Sequence, residues 1–370
     1  KLIVINFIEY LNMKINNQQY NTIWFNFEKK IVEIIDQNQL PFSFQIKSLS
    51  TFDDSLNSIR NMNVRGAPLI GASAAFALYL SYKNNNDINN LKEDAKKLIS
   101  ARPTAINLSW AVHRVMNKIP KKNIKLDEDF FLNEALLICK EDIDACRKIG
   151  TYGLKLIKEI ISKKKIKKVN ILTHCNAGWL ATIDWGTALS PIYLAHRSGI
   201  NVHVWVDETR PRNQGASLTS FELSEEKIEN TIITDNAGGY LMQKGMVDLC
   251  ITGADRVTKS GHVINKIGTY LKALAAKDSK IPFYVAAPIS TIDWEVSDYS
   301  KIKIENRDSK ELSLLNGLDD KGNKVSINIY PKNSKSINPS FDITPNHLVD
   351  KLITEKGIVN PIEKEINKLK

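Results

Sequence analysis

Apolar and polar positions change rhythm about halfway along the chain. Up to about residue 160 apolar residues recur at helical spacing, through "DDSLNSIRNM", "PLIGASAAFALYLSY" and "TAINLSWAVHRVMNKI" and then along an amphipathic run from Asp127 to Lys163. From Val169 onward the apolar runs are short: "VNILT", "NVHVWV", "NTIIT", "VDLCIT" and "IPFYVAA". Four of these five lead into a helix-forming segment, and strands alternating with helices imply a parallel sheet covered on both faces. The pattern therefore predicts an α/β protein, with a mainly helical domain over residues 1–150 and a parallel-sheet domain over 151–370. The break falls near 140–168, inside or just after a connecting helix. No internal repeat is visible.

Composition narrows the class. A chain of 370 residues with 43% apolar content suits one or two globular domains, and no run approaches the length of a membrane span. The opening "KLIVINFIEYLNMK" carries Glu9 and lacks a small-residue cleavage site, so it reads as a short helix or leader and not a secretion signal. Four cysteines are too sparse for a disulfide framework, which points to reduced thiols and a cytoplasmic setting. Cys139 and Cys146 lie seven apart on one helical face, where packing is the expected role. No CxxC or His-rich spacing suggests zinc. The net charge of +10 raises a nucleic-acid partner, but Lys and Asn are enriched along the whole chain, and the densest run, "SKKKIKKVN", reads as a solvated linker. A diffuse positive field fits an anionic small substrate better than a nucleic acid.

In open parallel sheets ligands bind beyond the carboxyl ends of the strands. Polar residues collect there: Thr173-His174-Cys175-Asn176, then "DETRPRNQG" with Asp207 and Glu208, then "GADR" with Asp255 and Arg256. Neither GxGxxG after the first strand nor GxxxxGK[ST] is present, so the two usual nucleotide cradles are missing. Other anion hosts are. "VRGAPLIG" sets Arg65, Gly66 and Ala67 at a Pro-marked helix start, and "ARPTAINL" repeats the plan with Arg102. "GHVINKIGTYLKALAAK" predicts a helix opening at Asn265-Lys266, a lysine set against the helix dipole where an anion would favour it. A buried cysteine is more often inert packing than a nucleophile, Asp255 alone can be a helix cap, and His174 reads as an orienting neighbour.

Taken together, "VRGAPLIG", "RPTAINL", "THCNAG", "DETRPRNQGASLT", "TDNAGG", "GADRV", "NKIGTY" and "NPSFDITP" resemble the methylthioribose-1-phosphate isomerases. These belong to a wider family that includes ribose-1,5-bisphosphate isomerases and regulatory subunits of the eukaryotic exchange factor for translation initiation. The resemblance implies a Rossmann-like C-terminal domain behind a helical N-terminal one, a homodimer, a phosphorylated pentose as substrate, and no metal or organic cofactor. It implies Cys175 and Asp255 as the catalytic pair, with Arg65, Gly66, Ala67, Arg102, Gln214, Asn265 and Lys266 holding substrate. Family members more often carry small residues after the "HCN" turn and a "GYGT"-like segment, where this chain has Trp179 and Asp184-Trp185-Gly186-Thr187, so the two rings are expected to reshape the pocket around the sugar's 5-substituent. Related sugars, 5-deoxyribose 1-phosphate and ribose 1,5-bisphosphate, stay open as substrates. A non-catalytic regulatory subunit would be expected to lose the Cys/Asp pair or the anion hosts.

An aldose 1-phosphate cannot open by mutarotation, because its anomeric oxygen is blocked. Ring opening needs an acid at the ring oxygen. Asp255 can serve if burial keeps it protonated and Arg256 points elsewhere. Hydrogen must then pass from C2 to C1, either as a proton taken by Cys175 or as a hydride, and the proton route calls for a thiol with a lowered pKa.

Overall fold

The computed structural model describes residues 13–120 and 127–370, so the reading of the opening segment as a helix or leader falls on residues 1–12 outside the described residues. Lys14–Ile15 (β1) and Gln18–Gln19 (β2) form a small hairpin. Antiparallel strands Ile23–Asn26 (β3), Ile31–Ile35 (β4) and Ile46–Leu49 (β5) follow. The helical half therefore opens on a sheet that the periodicity did not announce. Its strands are four or five residues long, too short to set a period of two against the helical background.

Helices then take over: Phe52–Arg60 (α1), Ala67–Asn85 (α2), Ile88–Ala101 (α3), Ile106–Asn117 (α4) and Glu128–Lys164 (α5). Thr51 and Asp54 close a capping box that starts α1. α2 is buried around its whole circumference, from Leu69 to Tyr82, which suits a helix apolar on all sides and places it at the centre of this half. α5 runs through the expected boundary at residue 150. Its early residue Phe131 stacks near Tyr82 of α2 (ring centroids 4.6 Å apart), while Gly150 and Gly153 receive Ser190 and Pro191 from the second half. Cys139 and Cys146 are buried along it, as their spacing suggested. No described helix is long and apolar enough to cross a membrane.

The second half alternates strands and helices: Lys168–Thr173 (β6), Ser190–Arg197 (α6), Asn201–Asp207 (β7), Ser220–Glu225 (α7), Glu229–Ile233 (β8), Ala237–Gln243 (α8) and Leu249–Thr252 (β9). Arg256–Thr258 (β10), Val263–Lys266 (β11), Thr269–Asp278 (α9), Phe283–Ala286 (β12), Ile292–Asp293 (β13), Lys310–Ser313 (α10), Leu314–Leu318 (β14) and Lys324–Asn328 (β15) come next. Phe341–Thr344 (β16), Lys351–Thr354 (β17), Gly357–Val359 (β18) and Glu363–Ile366 (α11) complete the order.

All five short apolar runs are strands of one sheet, ordered β18-β17-β12-β9-β6-β7-β8 and parallel except for the edge strand β18. Alternate residues feed two cores. Val169, Ile171, Leu249 and Ile251 join the cluster that holds Ile149 of α5 and Ile192 of α6, whereas Leu172 and Cys250 join the one that holds Ala273 of α9 and Met242 of α8. A second sheet, β13-β10-β11-β16, sits at the carboxyl end of β9 and carries Asn265 and Lys266 on β11. The helix expected at Asn265-Lys266 thus begins only at Thr269, after Gly268, because β-branched Val263 and Ile264 pair with Ile343 and Thr344 of β16.

Candidate active site

The order of the large sheet decides where its crevice lies. From β6 the chain goes to β7 on one side and later returns to β9 on the other, so the winding reverses between β6 and β9. That switch point is where the ends of neighbouring strands diverge and leave room for a ligand. Cys175 stands just past β6 and Asp255 just past β9. Both line one recess of about 600 Å³ including its mouth, together with Arg65, Gly66, Ala67, Arg102, Gln214, Asn265 and Lys266. The pair and the seven substrate contacts that the resemblance implied meet there.

Cys175 adopts a left-handed backbone, with φ 66°, which costs a non-glycine residue roughly 1–3 kcal/mol. Neighbours hold it there. Its N–H donates to Thr209 Oγ1 at 2.8 Å, and its carbonyl accepts from Thr219 Oγ1 at 2.7 Å. Burial pushes the thiol's pKa up; Arg65 and Lys266 pull it down without winning, and Asp255 adds to the rise. The resting group is a thiol, and it donates to Gln214 Oε1 at 3.5 Å. This departs from the lowered pKa that the proton route calls for, because desolvation outweighs the two cations.

Asp255 is half-buried, and its carboxyl is also pushed above the ordinary range, first by burial and then by Glu305, against Lys266, Arg102 and Arg65. Arg256 turns away: its guanidinium donates to the carbonyls of Thr104 and Pro103 at 3.2 and 2.9 Å and pairs with Asp293 at 3.2 Å. Arg256 therefore does not act on Asp255, and the same contacts brace the Arg102 turn.

The cations reach the recess by different routes. Arg65 and Gly66 precede α2 as expected, and Gly66 is obligatory there, since its φ is 91° and a Cβ would strike the Ala181 carbonyl. Arg65 is clamped by Asn176, with Nη1 on Oδ1 at 2.5 Å and Nη2 on the backbone oxygen at 2.7 Å. Arg102, in contrast, stands at the end of α3 and not at a helix start, since α4 begins at Ile106. Pro103 and Thr104 form a turn in between. It still delivers the guanidinium, whose Nε and Nη1 are buried without a hydrogen-bond partner, Glu305 lying 3.6 Å away. Lys266 lies over the Phe341 ring, 4.8 Å from its centroid, and no carboxylate among the described residues pairs with it. Buried donors without partners are what a multiply charged oxyanion satisfies.

His174 ties the floor together, with Nδ1 2.7 Å from Asp207 Oδ2 and Nε2 2.8 Å from the Ile267 carbonyl, so it orients as expected. His174, Asp207 and Asp235 are also close enough to share a metal ion, a cluster the sequence spacing did not reveal. Lys272 Nζ already sits 3.0 Å from Asp207 Oδ2 and donates to the Asp235 carbonyl. An ammonium therefore holds the place a cation would take, and the group is a salt-bridged network. Trp179 and Trp185, expected to reshape the pocket, do neither: both are packed in the main core and border no part of the recess. Sequence reasoning passed over Met62, Pro288 and Phe341, which do line it and carried no signal, and gave Asn176 only as a polar strand-end neighbour of Cys175.

Residues 63–361 match the Initiation factor 2 subunit family. A methylthioribose-1-phosphate isomerase of Methylorubrum extorquens is 50% identical over 352 residues, covering 95% of this chain and 96% of the relative. The crystal structure of 5-methylthioribose 1-phosphate isomerase from Pyrococcus horikoshii superposes with a TM-score of 0.81 at 34% identity, covering 99% of this chain and 98% of that one. That of the translation initiation factor eIF-2B subunit delta from A. fulgidus gives a TM-score of 0.75 at 38% identity, covering 95% and 99%.

Proposed function

The chain belongs to the Initiation factor 2 subunit family, and from that premise we propose that it is a methylthioribose-1-phosphate isomerase. It converts 5-methylthioribose 1-phosphate to 5-methylthioribulose 1-phosphate, an aldose–ketose isomerisation of methionine salvage. One observation carries the site: Cys175 and Asp255 face a recess whose wall holds Arg65, Arg102 and Lys266. In this reading residues 1–150 bring the two arginines and residues 151–370 bring the catalytic pair, which α5 joins.

The chemistry runs in two stages. Arg65, Arg102 and Lys266 bind the phosphoryl group, and their field stabilises negative charge that develops beside it. Asp255, whose carboxyl burial pushes above its ordinary range, donates to the ring oxygen as the C1–O bond breaks. Gln214 and Asn265 orient the hydroxyls. Hydrogen then moves from C2 to C1 next to Cys175, and the C2 hydroxyl returns its proton to the Asp255 carboxylate as the C2 carbonyl forms. A thiol at rest cannot accept the C2 proton until it has lost its own, which supports a hydride shift steered by a neutral Cys175 over a thiolate base. Running the reaction in deuterium oxide reads this directly. Label appearing at C1 would restore the proton route.

The A. fulgidus relative carries a translation-factor name, so a regulatory role is the second reading. The retained thiol and carboxyl, and Arg102 with two buried donors that make no hydrogen bond, speak for catalysis. Incubating the protein with 5-methylthioribose 1-phosphate, 5-deoxyribose 1-phosphate and ribose 1,5-bisphosphate separates the readings. Turnover of the first should exceed that of the others, and no turnover of any would overturn the proposal. We place the enzyme in the cytoplasm as a homodimer. The packed pair α8 and α9 supports the dimer by leaving Tyr240, Leu271 and Leu274 exposed at 59%, 58% and 39%. Leu271→Glu should then yield monomers in sedimentation.

A further inference from the structure

We propose that Glu222 is a positioning residue for the phosphate site: through the amide of Asn176 it holds Arg65 in the orientation that receives the phosphoryl group. The inference rests on the reading of the recess as a sugar-phosphate site.

Glu222, on α7, is fully buried, and no described cation pairs with it. Four neutral donors meet it instead. Asn176 Nδ2 at 2.8 Å and the Leu180 amide at 3.1 Å reach Oε1, and the Trp179 amide at 2.9 Å and the Tyr193 hydroxyl at 2.5 Å reach Oε2. The approach is so close that a Cβ on Gly178 would collide with Oε2. Burial pushes the carboxyl up to about 7, so the carboxylate prevails on the alkaline side.

An ionised carboxylate accepts and never donates. Asn176 must therefore turn its NH₂ toward Glu222, where it also donates to Thr219 Oγ1 at 3.1 Å, and this leaves Oδ1 for Arg65. The amide orientation follows from the network, with no freedom to flip. Oδ1 and the backbone oxygen of Asn176 together grip two of the five guanidinium N–H groups and fix the side chain where it lines the recess. Arg65 comes from the first half of the chain and Asn176 from the second, so the relay sets this cation across the junction between them.

Glu222→Gln tests the relay without changing volume. Its NH₂ faces either the Asn176 NH₂ or the Trp179 amide, and the relief is a flip of Asn176 that turns Nδ2 on Arg65. The double variant Glu222→Gln/Asn176→Asp restores a donor–acceptor pair and an oxygen for Arg65. Kinetics on 5-methylthioribose 1-phosphate, calorimetry with inorganic phosphate and thermal melting are run at about pH 8.5, where a carboxyl of pKa about 7 is ionised. Glu222→Gln should raise KM and weaken phosphate binding by about tenfold or more, with kcat changed by less than about threefold, and the double variant should recover most of both. Unchanged phosphate affinity in the single variant, or no recovery in a folded double variant, would overturn the proposal. Should Glu222→Gln not fold, Asn176→Ala keeps the other three Glu222 contacts, and wild-type phosphate affinity there would overturn it equally. Phosphate calorimetry reads the relay even if the wild-type protein isomerises no sugar, so the two readings fail separately.

Discussion

Replacing Arg102 by methionine should cripple substrate binding while leaving the free protein as stable as before, or more so. The residue is 5% exposed, with Nε and Nη1 buried and without a hydrogen bond, so the unliganded fold bears a desolvation cost of about 1–3 kcal/mol for Nη1, that of Nε being offset in part by Glu305 at 3.6 Å. Methionine fills a similar length and has no donors to satisfy. Glu305, whose buried Oε2 lies 3.6 Å from Nε, loses that cation but keeps Arg307 on Oε1 at 3.1 Å, which limits the cost of the change. With phosphate bound, the lost charge-assisted bonds are worth about 1.5–3 kcal/mol. At 1.4 kcal/mol per decade this is a rise in KM of about 10–100-fold. Initial rates against substrate concentration, paired with melting curves with and without inorganic phosphate, measure both sides. Wild type should gain more melting temperature from phosphate than the variant does. A variant with unchanged KM and a clearly lowered melting temperature would show that Arg102 is structural and refute the argument.

The remaining tests probe other parts of the site and fold. Cys175→Ala and Asp255→Asn should each lower kcat by about 10²–10⁴-fold while phosphate still binds in calorimetry, and near-normal turnover in either would remove that residue from the chemistry. Gly66→Ala should destabilise the protein by more than about 1 kcal/mol in denaturant titration and raise KM, because φ 91° and the Ala181 carbonyl both oppose a Cβ; a neutral result would contradict the close approach. Burial pushes Asp142 up to about 7, with Glu355 and Asp184 adding to the rise and the Ile183 amide opposing it. Its unfolded value is near 3.9, so its stabilising share is full below about pH 4 and lost as pH climbs through about 7. Asp142→Asn, which keeps an acceptor for the Ile183 amide, should flatten the fall in melting temperature between about pH 4 and 7, and curves parallel to wild type would refute that assignment.

The sequence by itself determined the strands of the large sheet, most of the helices and the chemistry on offer. Short apolar runs between helical stretches were enough to mark β6, β7, β8, β9 and β12, since period and length are local properties of the chain. Pro68 after Gly66 marked the start of α2 for the same reason. Reactive residues could be named because strand ends are recognisable from their own residues. Tertiary structure alone decided the rest. Strand order placed β9 beside β6 and so brought Cys175 to Asp255, a pairing set by contacts across some eighty residues that no local window contains. Pairing with β16 made a strand of Val263–Lys266 where the sequence read a helix start. Core packing took Trp179 and Trp185 away from the recess they neighbour in sequence. Burial, which belongs to the folded whole, raised Cys175 and Asp255 above their ordinary values and turned Glu222 from one more acidic residue on a helix into the support of Arg65.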